Sequence, residues 1–351
     1  MRIRLLLVLI VHLTFVREGD ASRPWRGRPT GSKYGATRAA QKRNRVGGRQ
    51  QQPRIGAPEG LRPLTASQID RATARLVARR PDVAPRAIAA GYERYRTVVA
   101  RTRAAGRRWP DAVRVRRAGR AHGMSIMRVD LTATSAPAAR RPRVLIVGGQ
   151  HAGNERVGIE AALRFIESAA ADDTLRSQFD ITVVPLLTPS ALVLGDRENI
   201  DGANTNRTFV DGKWTAESKV LKDMIDTEGF DLVLDLHGAG DEGRNGFFVI
   251  GQGHDGGMTS RILSAMESPA LMDVRGAGGR PAIVGPYSMS HLGDAVSANP
   301  DTLPDYADAR GVKYAYTVEA PTRMDATKQV RGMLKLVGSA LQNVRRHGDW
   351  R

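Results

Sequence analysis

Gly202-Ala203-Asn204-Thr205-Asn206-Arg207-Thr208-Phe209 is the stretch from which the rest of the chain can be read. An Asn-Arg pair in a Gly-containing loop suits a carboxylate. The guanidinium offers a bidentate fork and the amide adds a third donor. On either side in sequence lie two further polar clusters, Gln150-His151-Ala152-Gly153-Asn154-Glu155-Arg156 and Asp235-Leu236-His237-Gly238. His151, Glu155 and His237 supply two imidazoles and a carboxylate, the ligand set of a zinc ion that keeps one position open for water. Together the clusters point to metal-dependent hydrolysis of a substrate with an acidic end.

The net charge of +18 is unevenly spread over the 351 residues. Residues 1–120 carry 29 Lys and Arg against 7 Asp and Glu, whereas the remainder carries 25 basic and 29 acidic residues. The basicity therefore belongs to the N-terminal third, and the overall charge is no argument for specific nucleic-acid binding. There is no cysteine, which excludes disulfides and thiolate-ligated metal.

Arg2 and Arg4 precede an apolar run over residues 5–16, broken only by His12 and Thr14, and Gly19-Asp20-Ala21 offers small residues for cleavage. This predicts a signal peptide over 1–21 and an exported protein, periplasmic or secreted. Residues 22–63 are rich in Arg, Gly, Pro and Gln and lack the apolar content to offset ordering entropy, so a disordered basic tail is expected. Such a tail can touch an anionic surface. Two amphipathic helices follow within 64–108, over 65–80 and 84–104, with Ile69, Ala72 and Leu76 on one stripe and Ile88, Tyr92, Tyr95 and Val99 on another. Packing on the remainder, service as a pro-segment and binding to a surface are all open to them.

From about residue 109 to 351 strand and helix patterns alternate. Strands are expected at 124–131, 143–148, 181–187, 230–236, 247–250 and 314–318, with helices at 157–170, 216–225, 258–266 and 328–344. This pattern predicts an α/β domain with a parallel or mixed sheet covered on both faces. His151, His237 and Glu319 each follow the carboxyl end of an expected strand, where ligands collect in open α/β sheets. His12, His122, His254 and His347 fall in the leader, in turns or in a tail and receive no role. His291 lies in a loop and stays open.

Residues from about 112 to 347 resemble the carboxypeptidase A family of zinc peptidases. The segment 202–209 resembles that family's Gly-Val-Asp-Leu-Asn-Arg-Asn-Phe signature. Gly311-Val312-Lys313-Tyr314-Ala315-Tyr316-Thr317-Val318-Glu319 resembles its run into the catalytic glutamate, with Asp305-Tyr306 matching an upstream Asp-aromatic pair. The resemblance implies a three-layer α/β/α sandwich around a twisted, mixed eight-stranded sheet and one zinc per chain. It also implies His151, Glu155 and His237 as ligands, Glu319 as general base and Arg197 as oxyanion partner. Asn206 and Arg207 would hold the free carboxylate of a peptide or acyl-amino-acid substrate. Pro304, near the position that sets specificity, implies an apolar pocket, which Asp301 or Asp294 would reverse by turning inward.

Two departures accompany the resemblance. The family's metal motif is His-x-x-Glu, whereas His151 and Glu155 have three residues between them, and a bulge at Ala152-Gly153 is expected to restore the geometry because Gly tolerates positive φ. The family's substrate-capping tyrosine falls on Ser297, leaving Tyr287 as substitute. The leading reading is an exported zinc carboxypeptidase that releases C-terminal residues from peptides, which the 311–319 run favours. The alternatives are a zinc-dependent deacylase of N-acyl amino acids or small amides and a non-catalytic basic binding protein with a degenerate metal site. The oligomeric state is not readable.

Overall fold

A strand that is apolar on both sides needs cover on both sides. Val144 to Val147 have no exposed surface, and they alternate between two cores in β3 (Arg143–Gly148). Val144 and Ile146 join one hydrophobic cluster, and Leu145 and Val147 the other. The computed structural model describes residues 76–133, 140–238, 247–251, 258–266, 301–321 and 324–348, together with positions 65, 67 and 74. The expected signal peptide, the basic tail, most of the helix expected at 65–80, Tyr287, Asp294 and Ser297 lie outside these residues.

In chain order the elements are α1 (Pro85–Arg108), β1 (Val113–Ala121), β2 (Met124–Leu131), β3, α2 (Arg156–Ala171), α3 (Asp173–Gln178), β4 (Asp180–Val184) and α4 (Pro189–Leu194). A 3-10 turn at Thr205–Arg207 precedes α5 (Ala216–Glu228), β5 (Leu232–Gly238), β6 (Phe248–Gly251), α6 (Met258–Leu263), α7 (Leu303–Ala309), β7 (Tyr314–Ala320) and α8 (Ala326–His347). Among the described residues the sheet has seven strands, in the order β1-β2-β4-β3-β5-β7-β6, where the resemblance implies eight. β4, β3, β5 and β7 run parallel, while β1, β2 and β6 are antiparallel to their neighbours. The mixed sheet is as expected. α2, α6 and α8 feed the cluster on one face, α5 and α7 the cluster on the other.

β1 escapes the sequence pattern for a physical reason. Four of its nine residues are Arg, and a register shift between Arg117 and Gly119 breaks the alternation. It is an edge strand, and charge with a bulge is how edges avoid pairing with other chains. α3, α4 and α7 also escape, being only six or seven residues long.

α1 starts at Pro85 in the first helical turn, where the missing N–H costs nothing. It lies directly on α4, since a Cβ on Gly91 would fall 1.9 Å from Val193 O. Ile88 and Val98 are buried in this contact and beside α2. Arg101 ties α1 to Glu160 of α2 at 2.6 Å. No described helix is long and apolar enough to cross a membrane.

Candidate metal centre

Helix α2 presses on the sheet through glycine. A Cβ on Gly148 would lie 2.6 Å from Gly158 O, and one on Gly158 would lie 2.2 Å from Leu236 O. With no side chain between them, the first turn of α2 rests on the carboxyl ends of β3 and β5. Glu155, the residue before α2, is thereby set between His151, which follows β3, and His237, the sixth residue of β5.

The extra residue between His151 and Glu155 is absorbed differently from the expected bulge. Gly153 is not among the glycines with positive φ. A Cβ there would instead fall 2.1 Å from Asp196 N, and the Gly153 N–H donates to Asp196 O at 3.0 Å. Close approach, not φ, requires glycine. The segment 151–155 closes as a turn in which Glu155 N–H donates to His151 O at 3.0 Å. This i to i+4 turn keeps both side chains on one side.

The two imidazoles converge on the carboxylate. His151 Nδ1 lies 3.0 Å from Glu155 Oε1, and His237 Nδ1 lies 2.8 Å from Glu155 Oε2. The Gly238 N–H also donates to Oε2, at 3.2 Å. All three side chains are buried, and their ligand atoms lie within 4.8 Å of one another. Zinc bonds of about 2.0–2.2 Å at tetrahedral angles separate ligands by roughly 3.3–3.5 Å, so modest side-chain adjustment closes this set on the ion. The outward nitrogens strengthen the fit. His237 Nε2 meets Asp235 Oδ2 at 2.8 Å and His151 Nε2 meets Asn204 Oδ1 at 2.8 Å, which orients both Nδ1 atoms inward. Gln150 Nε2 in turn donates to Asp235 Oδ2 at 2.5 Å.

These outer partners were not singled out as orienting groups by residue type. The available signals were Asp235, two residues before His237 on one strand face, and Asn204, which stands where the resembled signature has Asp. They polarise the histidines unequally. Burial lowers the His151 pKa below the imidazole norm. His237 is equally buried, but the Asp235 and Glu155 carboxylates outweigh that burial and raise its pKa well above the norm. Glu155 itself is held well below the usual carboxylate range by the two histidines, against its burial. Replacing Asp235 by Asn is expected to weaken zinc binding by about 10–100-fold with the fold retained, as read by competition with a chelating dye. Unchanged affinity would remove Asp235 from the centre.

Glu319 stands beside His237 in register, on the adjacent parallel strand β7. Its Oε2 is buried and has no hydrogen-bond partner among the described residues. Burial is the main cause that pushes its pKa up to about 8, opposed by the His237 charge and reinforced by Glu155. Arg197 Nη1 contacts Glu155 Oε1, while its side chain stays 39 % exposed, so the guanidinium bridges the buried cluster and solvent. The structure thus brings His151, Glu155, His237, Arg197 and Glu319 together.

The 3-10 turn joins this centre through Asn204. Asn206 is buried and its Oδ1 accepts from Leu303 N–H at 3.3 Å. Arg207 donates from Nη1 to Asn206 O at 2.6 Å, and its Nε lies 3.9 Å from Asp301 Oδ1. Its side chain remains 44 % exposed. Asp301 also faces Lys213 Nζ at 3.7 Å, so it is engaged by two cations in this conformation. Pro304 is buried in the first turn of α7.

The model of the succinylglutamate desuccinylase/aspartoacylase catalytic domain matches residues 140–327, which include His151, Glu155, Arg197, Asn206, Arg207, His237 and Glu319. A search of curated proteins gives no match. Among solved structures, a candidate metallopeptidase from Shewanella amazonensis is 17% identical with a TM-score of 0.58, covering 72% of this chain and 92% of that one. A metallo-carboxypeptidase from Burkholderia cenocepacia is 19% identical, with a TM-score of 0.55 and coverage of 70% and 67%. Bovine thrombin-activatable fibrinolysis inhibitor, solved with a tick carboxypeptidase inhibitor, is 13% identical, with a TM-score of 0.54 and coverage of 71% and 96%. At these identities the structures speak to the fold, which is zinc-peptidase-like. Among the described residues, His151, Glu155 and His237 form a group that could hold a metal ion.

Proposed function

The chain belongs to the succinylglutamate desuccinylase/aspartoacylase catalytic-domain family, and from that premise we propose that it is a zinc-dependent amide hydrolase acting on N-acyl amino acids with a free carboxylate. The observation that carries this reading is the convergence of both histidine Nδ1 atoms on Glu155, with each Nε2 held by its own oxygen acceptor. His151, Glu155 and His237 would hold a zinc ion, which would supply Lewis acidity and lower the pKa of water toward neutrality.

The chain's own groups do the rest. Glu319 Oε2, with no competing partner among the described residues, takes the proton of the attacking water and returns it to the leaving nitrogen. Arg197 turns from Glu155 to the oxyanion, whose charge develops only as the tetrahedral state forms. Asn206 and Arg207 hold the substrate carboxylate and so fix the scissile amide relative to Glu319. Asp301 sets the resting position of the Arg207 guanidinium.

A second reading, release of C-terminal residues from peptides, keeps every role and changes only the acyl side. The resemblance of residues 311–319 to the peptidase run favours it, whereas the matched family model favours the deacylase. Pro304 supports an apolar preference at the cleaved residue in that case. A panel of acetyl and succinyl amino acids beside blocked dipeptides, run with metal analysis, separates the readings. Hydrolysis of the dipeptides alone rejects the deacylase. No zinc and no turnover favour the non-catalytic binder, whose function would rest on the basic N-terminal region. We further propose export, from the charged start and apolar run at residues 1–21.

Both enzyme readings share one requirement. Converting the substrate carboxylate to an amide is expected to cost about 2–4 kcal/mol in kcat/KM, the scale for removing one partner of a desolvated charge pair. Equal rates on acid and amide would sink the role of Asn206 and Arg207.

A further inference from the structure

His122 receives no role from sequence, yet among the described non-glycine residues it alone has a positive φ, 51°. The turn it forms with Gly123 between β1 and β2 holds its imidazole against the start of α5. Its Nε2 lies 3.2 Å from Oε1 of Glu217, a side chain with no exposed surface, and 3.7 Å from Asp201 Oδ2. The second Glu217 oxygen accepts from Asn199 Nδ2 at 3.3 Å.

Asn199, also fully buried, shapes the loop that leads into the site. Its Oδ1 accepts from the backbone N–H groups of Asp201 and Ala203, both at 3.0 Å. Its own N–H donates to Ala203 O at 2.9 Å, and Gly202 N–H donates to Asn199 O at 3.0 Å. Gly202 takes φ of 76° to close this loop. Asn204, which meets His151 Nε2, comes next, followed by Asn206 and Arg207, and Arg197 lies two residues upstream.

We propose that the His122–Glu217 ion pair is a positioning clamp for the loop 197–207. Through Asn199 it sets where Asn204, Asn206 and Arg207 stand, and it links substrate affinity to the charge on His122. The physical need is plain. A buried carboxylate stays ionised more readily beside a cation, and breaking a buried pair leaves an uncompensated charge. The groups facing His122 are Glu217 from α5, Asp201 from the loop, and Arg79, which contacts Asp201 from the N-terminal side. Glu217 raises the His122 pKa above the usual imidazole range, against partial burial. His122 and Glu217 lower and raise each other's proton affinity in the sense that keeps both charged. A raised imidazole value means that the clamp is fully present below the ordinary value and is released as pH rises through the raised one.

The proposal rests on the hydrolase reading for its kinetic readout only. The test uses the full-length, zinc-loaded protein with Glu217→Gln and His122→Gln. Both variants are expected to retain one zinc per chain. Exchange of the Asp201 and Ala203 amides should accelerate by about tenfold, because the loop opens locally. KM for the acyl amino acid should rise by about 5–10-fold with kcat within about twofold, the signature of lost binding and not lost chemistry. In the unaltered protein KM should climb on the alkaline side, and in His122→Gln it should be high and independent of pH there. Unchanged amide exchange in both variants overturns the clamp, as does exchange that accelerates equally in the strands of the sheet, which would mark a general support of the fold. If Glu217→Gln does not fold, His122→Gln carries all the readouts. Faster amide exchange in a protein that turns over no acyl amino acid supports the clamp and rejects the hydrolase reading, so the two fail separately.

Discussion

Glu319→Gln is expected to retain zinc and to bind substrate with little change in KM while kcat falls by about 10²–10⁴-fold, the range for loss of a positioned general acid–base group. Glutamine preserves the shape of the side chain beside His237 and removes its capacity to take up a proton. The position of Glu319 supports this outcome. It is in strand register with a metal-ligand candidate, and its Oε2 is committed to no other group among the described residues. Its pKa is pushed up to about 8 mainly by burial, with the Glu155 charge adding to it. A dication held by His151, Glu155 and His237 would favour the ionised form that a base requires. Stopped-time assays on zinc-verified protein give the answer. Turnover within tenfold of the parent would show that another group moves the proton.

His237→Ala is expected to lose most of its zinc and, with it, essentially all activity, while the fold survives. His237 is one of three ligand candidates, and a site reduced to His151 and Glu155 falls below the three protein ligands usual for catalytic zinc. The strand around it is held by pairing to β3 and β7, which alanine does not disturb. Metal analysis after dialysis against a fixed zinc concentration, with circular dichroism as the fold control, reads the result. Full occupancy in the variant would sink the centre. In the parent protein zinc must displace the proton that Asp235 and Glu155 help His237 to hold. Zinc affinity should therefore rise with pH up to the raised His237 value and level off above it.

Much of this centre was visible in the order of residues. His151, His237 and Glu319 each come after a run of apolar residues, and a β-strand buried on both faces has no other way to be written. The structure puts those runs at β3, β5 and β7, adjacent and parallel, so the three side chains emerge at the same edge of the sheet. The expected boundaries of β3 agree residue for residue with those observed, because both its faces are apolar and its ends are marked by Arg and Gly. By contrast β1 was invisible. Its arginines serve an exposed edge, and that demand overrides the alternation by which strands are recognised. The pattern of residues 64–108 predicts two helices with several possible uses. The second of them, α1, packs on Val193, and only the missing side chain of Gly91 lets it do so.

The amino-acid order by itself determined the α/β class, the His-Glu-His donor set and the Asn-Arg pair, since each depends on residue types and local period alone. Only the tertiary structure decided how the extra residue between His151 and Glu155 is accommodated. A turn pressed against the Asp196 backbone solves it, and no local propensity encodes that contact. The same holds for the partners that aim the histidines. Asn204 is 53 residues from His151, and Glu155 is 82 from His237. His122 and Glu217 belong to the same class, distant in sequence and joined beneath the loop that carries Asn204. Such pairings arise where chain crossings bring polar groups out of water together, and a buried polar group must find its partner wherever the fold supplies one.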